Sequence, residues 1–359
     1  MHSSPAHVYR RAYEAVNYRL RTLAGGQLAS WCRPTTIMFL LTELCNARCV
    51  HCDIWKNKGR EDSPTTDQWK QVLRDLRGWL GPVHVVFSGG EALLKPSTIE
   101  LVEYASRLGL YLEVLTHGYW DDQSKIEKLA LAGPSRVTVS LDGIGETHTR
   151  IRGRDRFFEK TTRTIATLQR VRSEHRLPYR IRLKTVIMAH NLDSVCDVVR
   201  FGRQDGMENV LQAIEQNYNT PEDARWFETS PNWPPDVEKA VQVVREVIAL
   251  KRQGFHVANS YAQLDAMIPY FRDPDSLRVS VQSHTAHERR ALCTALITLQ
   301  FQANGEVATC YAAPRVGNIK DRPIRAIWES RPSFWNKGCC LTQRLTPREK
   351  EVRSPLVGG

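Results

Sequence analysis

The chain has 359 residues, 42% of them hydrophobic, a net charge of +11 and 9 cysteines. That size supports a sizeable core, as one large domain with one or two smaller additions. No apolar stretch reaches the ~18 residues that span a bilayer, and the first 30 residues lack a signal peptide's apolar segment, so a bacterial-type cytoplasm is the expected setting. The basic residues are scattered and accompany no nucleic-acid-reading motif, so no nucleic-acid partner is expected. Without an export signal, clustered cysteines point to metal ligation in a reducing cytoplasm rather than to disulfides.

Residues 1–33 form the first unit. Tyr9, Ala12, Tyr13, Val16, Leu20 and Leu23 recur near helical spacing among Arg10, Arg11, Arg19 and Arg21, and Gly25-Gly26 ends the run. Such a basic amphipathic helix packs across the domain it precedes, with peripheral membrane contact as the other option. Residues 34–235 alternate strand-like and helix-like stretches, the pattern of parallel β/α units in an α/β fold. Strands are expected over Thr36–Leu41, Val83–Ser88, Tyr111–Thr116, Arg136–Leu141, Arg180–Met188 and Asn209–Glu215. Helical patterns fill the gaps around Asp67–Trp79, Ser97–Leu108, Phe157–Ser173 and Leu192–Gln204. Thr220–Pro235, rich in Pro, Trp and acid, reads as a long loop suited to a lid. A helical connector occupies 236–290, a small cysteine-bearing unit 291–345 and a tail 346–359.

Motifs fall at the ends of these strands. After the first strand comes Thr-Glu-Leu-Cys-Asn-Ala-Arg-Cys-Val-His-Cys, with Cys45, Cys49 and Cys52. Three thiols in one loop suit a soft metal, either an iron-sulfur cluster or a zinc site closed by His51 or a distant ligand. The second strand runs into Gly89, Gly90 and Glu91, where paired glycines let the backbone approach closely and the carboxylate can accept from an ammonium group. The third ends at Thr116-His117-Gly118. The fourth ends at Ser140 and Asp142, followed by Arg152, whose planar fork suits a carboxylate. Lys184, Gln212, Glu215 and Gln216 near the later strand ends are candidates for facing substrate.

Cysteines spaced by three and then two residues, followed about 40 residues later by Gly-Gly-Glu, resemble the radical S-adenosylmethionine (SAM) enzymes. The resemblance implies a partial (β/α)6 TIM-like barrel with sites at the C-terminal strand ends. It implies that Cys45, Cys49 and Cys52 hold a [4Fe-4S] cluster chelated by SAM. Gly89, Gly90 and Glu91 would contact the SAM amino group, with His51 near the adenine and Thr116 as a neighbour. Ser140 and Asp142 would bond the ribose or line the cavity, and Arg152 would pair with a carboxylate. His117 replaces the asparagine of a family Thr-Asn-Gly.

A second signal lies near the C-terminus. Cys293 precedes an alternating run, an Asn304-Gly305 hairpin turn and Cys310; Cys339 and Cys340 follow. This resembles the SPASM/Twitch extension, which implies an auxiliary [4Fe-4S] cluster. Adjacent Cys339 and Cys340 seldom both reach one cluster, so a single one of them is expected to ligate. Cys32 and Cys196 belong to no motif and read as ordinary thiols.

The implied activity is reductive SAM cleavage and hydrogen abstraction, fed by an electron donor such as flavodoxin or ferredoxin. A small-molecule substrate is expected, such as a sugar, nucleotide or lipid precursor undergoing oxidation or rearrangement. A peptide presented by a separate recognition protein, or a non-catalytic electron carrier, are the alternatives.

Overall fold

The computed structural model describes residues 5–23, 31–58, 62–203, 206–221, 223, 225–274, 294–310 and 314–331. After helix α1 (Pro5–Leu23), strands β1 (Thr36–Leu40), β2 (His84–Ser88), β3 (Tyr111–Thr116), β4 (Arg136–Ser140), β5 (Arg180–Ile187) and β6 (Glu208–Ala213) lie side by side in chain order, each parallel to the next. Helices α2 (Thr66–Leu80), α3 (Thr98–Arg107), α4 (Ser124–Leu131), α5 (Glu146–Arg152), α6 (Phe157–Glu174) and α7 (Val195–Arg203) fill the connections. This is the expected α/β architecture, with strand ends within one or two residues of the sequence reading.

Period-2 alternation sorts each strand between two faces. Ile37, Phe39, Val85, Phe87, Leu112, Val114, Val137, Val139, Ile181 and Leu183 face the helices, where they pack under Trp69, Leu73, Leu76 and Leu101. Fully burying each such large side chain contributes roughly 1.5–3 kcal/mol. A capping box at Thr65 and Gln68 starts α2 by satisfying two of its end groups.

The opposite, luminal face carries charge. Glu113 sits between the guanidinium of Arg136 at 2.5 Å and His84 Nε2 at 3.0 Å, and Thr138 donates its hydroxyl to it. Glu208 accepts from Arg182 at 2.6 Å and Arg180 at 3.0 Å. Strand register places these partners across from one another. Burial alone would raise the Glu113 carboxyl, but the His84 and Arg136 bonds hold it well below the usual carboxylate range. The network floors the lumen toward the N-terminal ends of the strands.

Helix α1 crosses that same N-terminal end. Tyr9 donates to Leu80 O at 2.7 Å, Tyr13 to Pro34 O at 2.8 Å, and the Arg10 guanidinium lies 4.4 Å from the Tyr111 ring. Among the described residues no helix is long and apolar enough to cross a membrane.

Both sheet edges are extended. At the far side, helix α8 (Trp226–Thr229) and helices α9 (Val237–Arg252) and α10 (Tyr261–Arg272) follow β6. The Asn259 side chain bonds both backbone groups of Leu211 at 2.8 Å, covering the β6 edge. Within the segment expected as a lid, Trp233 packs 5.6 Å from Tyr270 and 5.7 Å from Phe271. At the near side, β7 (Thr298–Phe301) pairs in parallel with β1, and β8 (Glu306–Ala308) and β9 (Gly317–Asn318) continue antiparallel. Among the described residues the sheet thus has nine strands and runs on into the hairpin. Phe301, 4.4 Å from Phe39, joins the hairpin to the main core.

Candidate functional site

The cysteine loop is held at the C-terminal strand ends from several directions, mostly through its backbone. From β2, Gly90 N–H donates to Thr42 O and Glu91 N–H to Leu44 O, both at 2.8 Å. From α5, Arg152 O and Ile151 O accept from Arg48 and Val50 at 2.9 and 3.0 Å. From beyond β6, Asn217 and Asn232 donate side-chain amides to Val50 O at 3.1 and 3.0 Å, and Tyr218 O accepts from Asp53 N–H at 2.9 Å. From β3, the His117 ring bonds Asn46 Oδ1 at 2.7 Å.

Cys45, Cys49 and Cys52 pack together against Ala47, Phe157 and Tyr119. Among the described residues, no three His, Cys, Asp or Glu side chains converge on one point as a single metal ion requires. Three neighbouring thiols suit a cluster, where each sulfur takes a different iron. Burial pushes the thiols up, Cys45 to about 12 and Cys52 to about 11, so ligation to a metal is what would hold them as thiolates.

The glycines answer to the loop itself. A Cβ on Gly89 would stand 2.3 Å from Thr42 O and one on Gly90 2.3 Å from Leu44 O. Gly90→Ala is therefore expected to push the cysteine loop off β2 and lower iron retained per chain after reconstitution, measured by metal analysis.

Glu91 is buried, with Oε2 accepting from Thr116 Oγ1 at 3.1 Å and His117 N–H at 2.9 Å, and Oε1 from Leu93 N–H at 3.2 Å. Burial outweighs these bonds and pushes its carboxyl up to about 7. His117, doubtful as a site residue from sequence, anchors the loop. Its Nδ1 accepts from Tyr119 N–H at 2.9 Å, which leaves Nε2–H to donate to Asn46, and burial lowers its pKa to about 3. It is a neutral positioning group.

Asp142 is paired with Arg152. Fully buried, it lies 2.6 Å from Arg152 Nη2 and accepts from Val186 N–H at 2.9 Å, so the protein already takes up its carboxylate. Arg152 in turn brings Nη1 to 3.6 Å from Cys49 Sγ. The carboxylate expected to meet Arg152 is this one. Ser140 ends β4 with its side chain partly exposed, opposite Lys184 of β5. Gln216 donates to Thr220 within its own loop at 3.0 Å, and Glu215 is exposed.

Among the buried polar atoms in this region with no hydrogen-bond partner are Arg152 Nε, His51 Nδ1 and Asp142 Oδ2, the last in ion contact alone with Arg152 Nη2. The orphaned Arg152 Nε and His51 Nδ1 fit a site completed by a polar ligand. Burial lowers the His51 pKa to about 4, keeping the ring neutral.

Cys310 lies elsewhere. Because β8 runs antiparallel to β7, it falls level with Thr298 and Thr36, about 13 Å of strand below the end of β1 from which the cysteine loop departs. Cys293, Cys339 and Cys340 lie outside the described residues. Cys32 is buried beside Leu296 and Ile297, and the Cys196 thiol lies 3.5 Å from a Glu246 carboxylate oxygen.

Parallel strands whose C-terminal ends gather a three-thiol loop, a buried carboxylate and an arginine define an α/β barrel enzyme with its chemistry at that mouth. Residues 39–201 match the Radical SAM superfamily, so the chain carries a radical SAM domain. It is 27% identical over 316 residues to an AdoMet-dependent heme synthase of Methanosarcina barkeri, spanning 84% of each chain. It is 33% identical over 167 residues to the sporulation killing factor maturation protein SkfB of Bacillus subtilis, covering 46% of this chain and 39% of that protein. The fold is similar to SuiB of Streptococcus suis solved with S-adenosylmethionine, at TM-score 0.63 and 14% identity, covering 96% of this chain and 71% of that one.

Proposed function

We propose that Cys45, Cys49 and Cys52 hold the SAM-binding [4Fe-4S] cluster and that the chain acts on a small molecule in a reducing cytoplasm, by oxidation or rearrangement. The packing of the three thiols in a loop clamped by Glu91, His117 and Arg152 carries this reading. When bound, the cluster and SAM supply reductive cleavage of a carbon–sulfur bond and a hydrogen-abstracting carbon radical. The protein's part is to bind, orient and exclude water. Glu91 takes the SAM ammonium, with Thr116 steadying its carboxylate. Arg152 offers Nε to the SAM carboxylate, Asp142 fixes that guanidinium, His51 lies against the adenine, and Ser140 lines the same cavity. Cys310, with Cys293 and one of Cys339 and Cys340, holds an auxiliary cluster; its distance from the mouth favours electron exchange over contact with substrate.

The heme synthase relative, matched along most of both chains and named for a small-molecule product, supports the small-molecule reading. SkfB, named for maturation of a killing factor, supports a peptide as the second reading. The test is anaerobic reconstitution with iron and sulfide, followed by a dithionite-driven assay for 5'-deoxyadenosine. Cleavage supports the radical reading; a wild-type protein that retains a full cluster, shows no SAM-induced change in its EPR signal and makes no product overturns it. Turnover of a peptide only when a separate recognition protein is added would reverse the order of substrates.

The Glu91 environment sets a pH dependence. A carboxyl with a raised pKa is protonated below about 7 and then cannot pair with an ammonium. SAM affinity is expected to fall roughly tenfold between about pH 8 and pH 6, and to lose that dependence in Glu91→Gln. EPR-monitored SAM titrations at the two pH values measure it.

A further inference from the structure

We infer that Lys184 receives a carboxylate of the substrate inside the barrel. The inference rests on reading the mouth as a radical SAM site and adds a substrate class to it. Arg182, Lys184 and Val186 alternate along β5 with the buried Ile181, Leu183 and Thr185, so Lys184 faces the lumen one step nearer the mouth than the ionic floor. In that floor the cations are matched: Arg136 by Glu113, and Arg182 and Arg180 by Glu208.

Lys184 is not matched. It stands between Ser140 of β4 and Val210 of β6, and among the described residues no carboxylate comes within ion-pair distance of its ammonium. The charges acting on it do so at longer range. Asp142 is already bound to Arg152, Glu113 to Arg136, and Glu215 is exposed at the rim. Burial lowers its pKa, as expected for a cation with water removed and no counterion supplied. The side chain is nevertheless only partly buried, so a ligand entering the lumen can reach it.

A compact ammonium pairs with a carboxylate as a point charge, without the bidentate geometry that a guanidinium asks for. Two sources carry such a group, SAM itself and the substrate. The orphaned Nε of Arg152 beside Cys49 provides for the first, which leaves Lys184 to the second. Held between the ionic floor and the cofactor mouth, the carboxylate would fix how deep the substrate sits and which carbon faces the mouth.

Lysine labelling of the reconstituted protein with trinitrobenzenesulfonate, mapped by peptide analysis, tests this. Lys184→Met identifies the Lys184 peptide by its disappearance. The probes are acetate and succinate, against potassium chloride at matched ionic strength, each with and without SAM. Lys184 is expected to label, SAM alone to leave its rate unchanged, and acetate or succinate in the presence of SAM to slow it about fivefold or more at saturation. Protection by SAM alone would assign the lysine to the cofactor and overturn the inference. So would equal rates in carboxylate and chloride, or an unreactive Lys184 beside reactive surface lysines. Dithionite-driven SAM cleavage by the same wild-type preparation distinguishes failure of this inference from failure of the radical reading.

Discussion

Replacing Cys45, Cys49 and Cys52 together by alanine is expected to abolish 5'-deoxyadenosine formation while leaving the barrel folded and part of the iron bound. The three side chains belong to a small satellite group with Ala47, Phe157 and Tyr119, separate from the two large cores. The loop's position depends instead on backbone bonds to Thr42, Leu44, Arg48 and Val50, none of which uses a thiol. Removing three small side chains therefore costs little folding energy, whereas the soft donor set is lost completely. Circular dichroism melts close to wild type, iron reduced but not absent, and no SAM cleavage form the expected result. Iron falling to zero would mean that the C-terminal cysteines hold no cluster. Undiminished cleavage would remove these cysteines from the site.

The strands and their motifs were legible because alternation and turn residues are local signals. β3 from Tyr111 to Thr116 and the placement of Glu91, Thr116 and Ser140 at strand ends follow from them directly. What the sequence hid were pairings between distant residues. Gly89 and Gly90 read as room for a ligand, yet their missing side chains make room for Thr42 and Leu44. Asp142 and Arg152 read as two ligand-facing groups and prove to be partners. Asn217 and Asn232 sit in an aperiodic, polar stretch where nothing local marks them as supports for Val50. The short helices α4 and α5 carried no separate signal because too few apolar residues repeat to establish a period, whereas α10, inside the expected helical connector, starts at a capping box of Ser260 and Gln263. Cys310 shows a different limit, since its spacing was readable but its level on the sheet required the register of β8.

The largest stability effect is expected from the lumen floor. Glu113, Arg136, Arg182 and Glu208 resemble surface charges in sequence, but the pleat turns all four inward. Glu113→Ala leaves Arg136 without its 2.5 Å partner and Arg182 without a carboxylate 3.9 Å away. Deleting one partner of a buried pair costs about 3–5 kcal/mol when the remaining charge is left without compensation, and Glu208, 3.8 Å from Arg136 Nη1, offsets part of that here. Replacing both partners, as in Glu113→Leu with Arg136→Met, should recover much of that loss, since two apolar side chains need no compensation. The acid limb of stability supplies the sign. Glu113 has a pKa depressed in the folded state, so its contribution is complete above the usual carboxylate value of about 4.5 and drains away as pH falls toward the depressed one. Wild-type stability should therefore decline steeply below about pH 4.5, and Glu113→Ala should be less stable at neutrality but flatter in acid. Urea unfolding at several pH values decides the matter: a loss under ~1 kcal/mol at neutrality, or an unchanged acid slope, would mean that water reaches this floor and screens it.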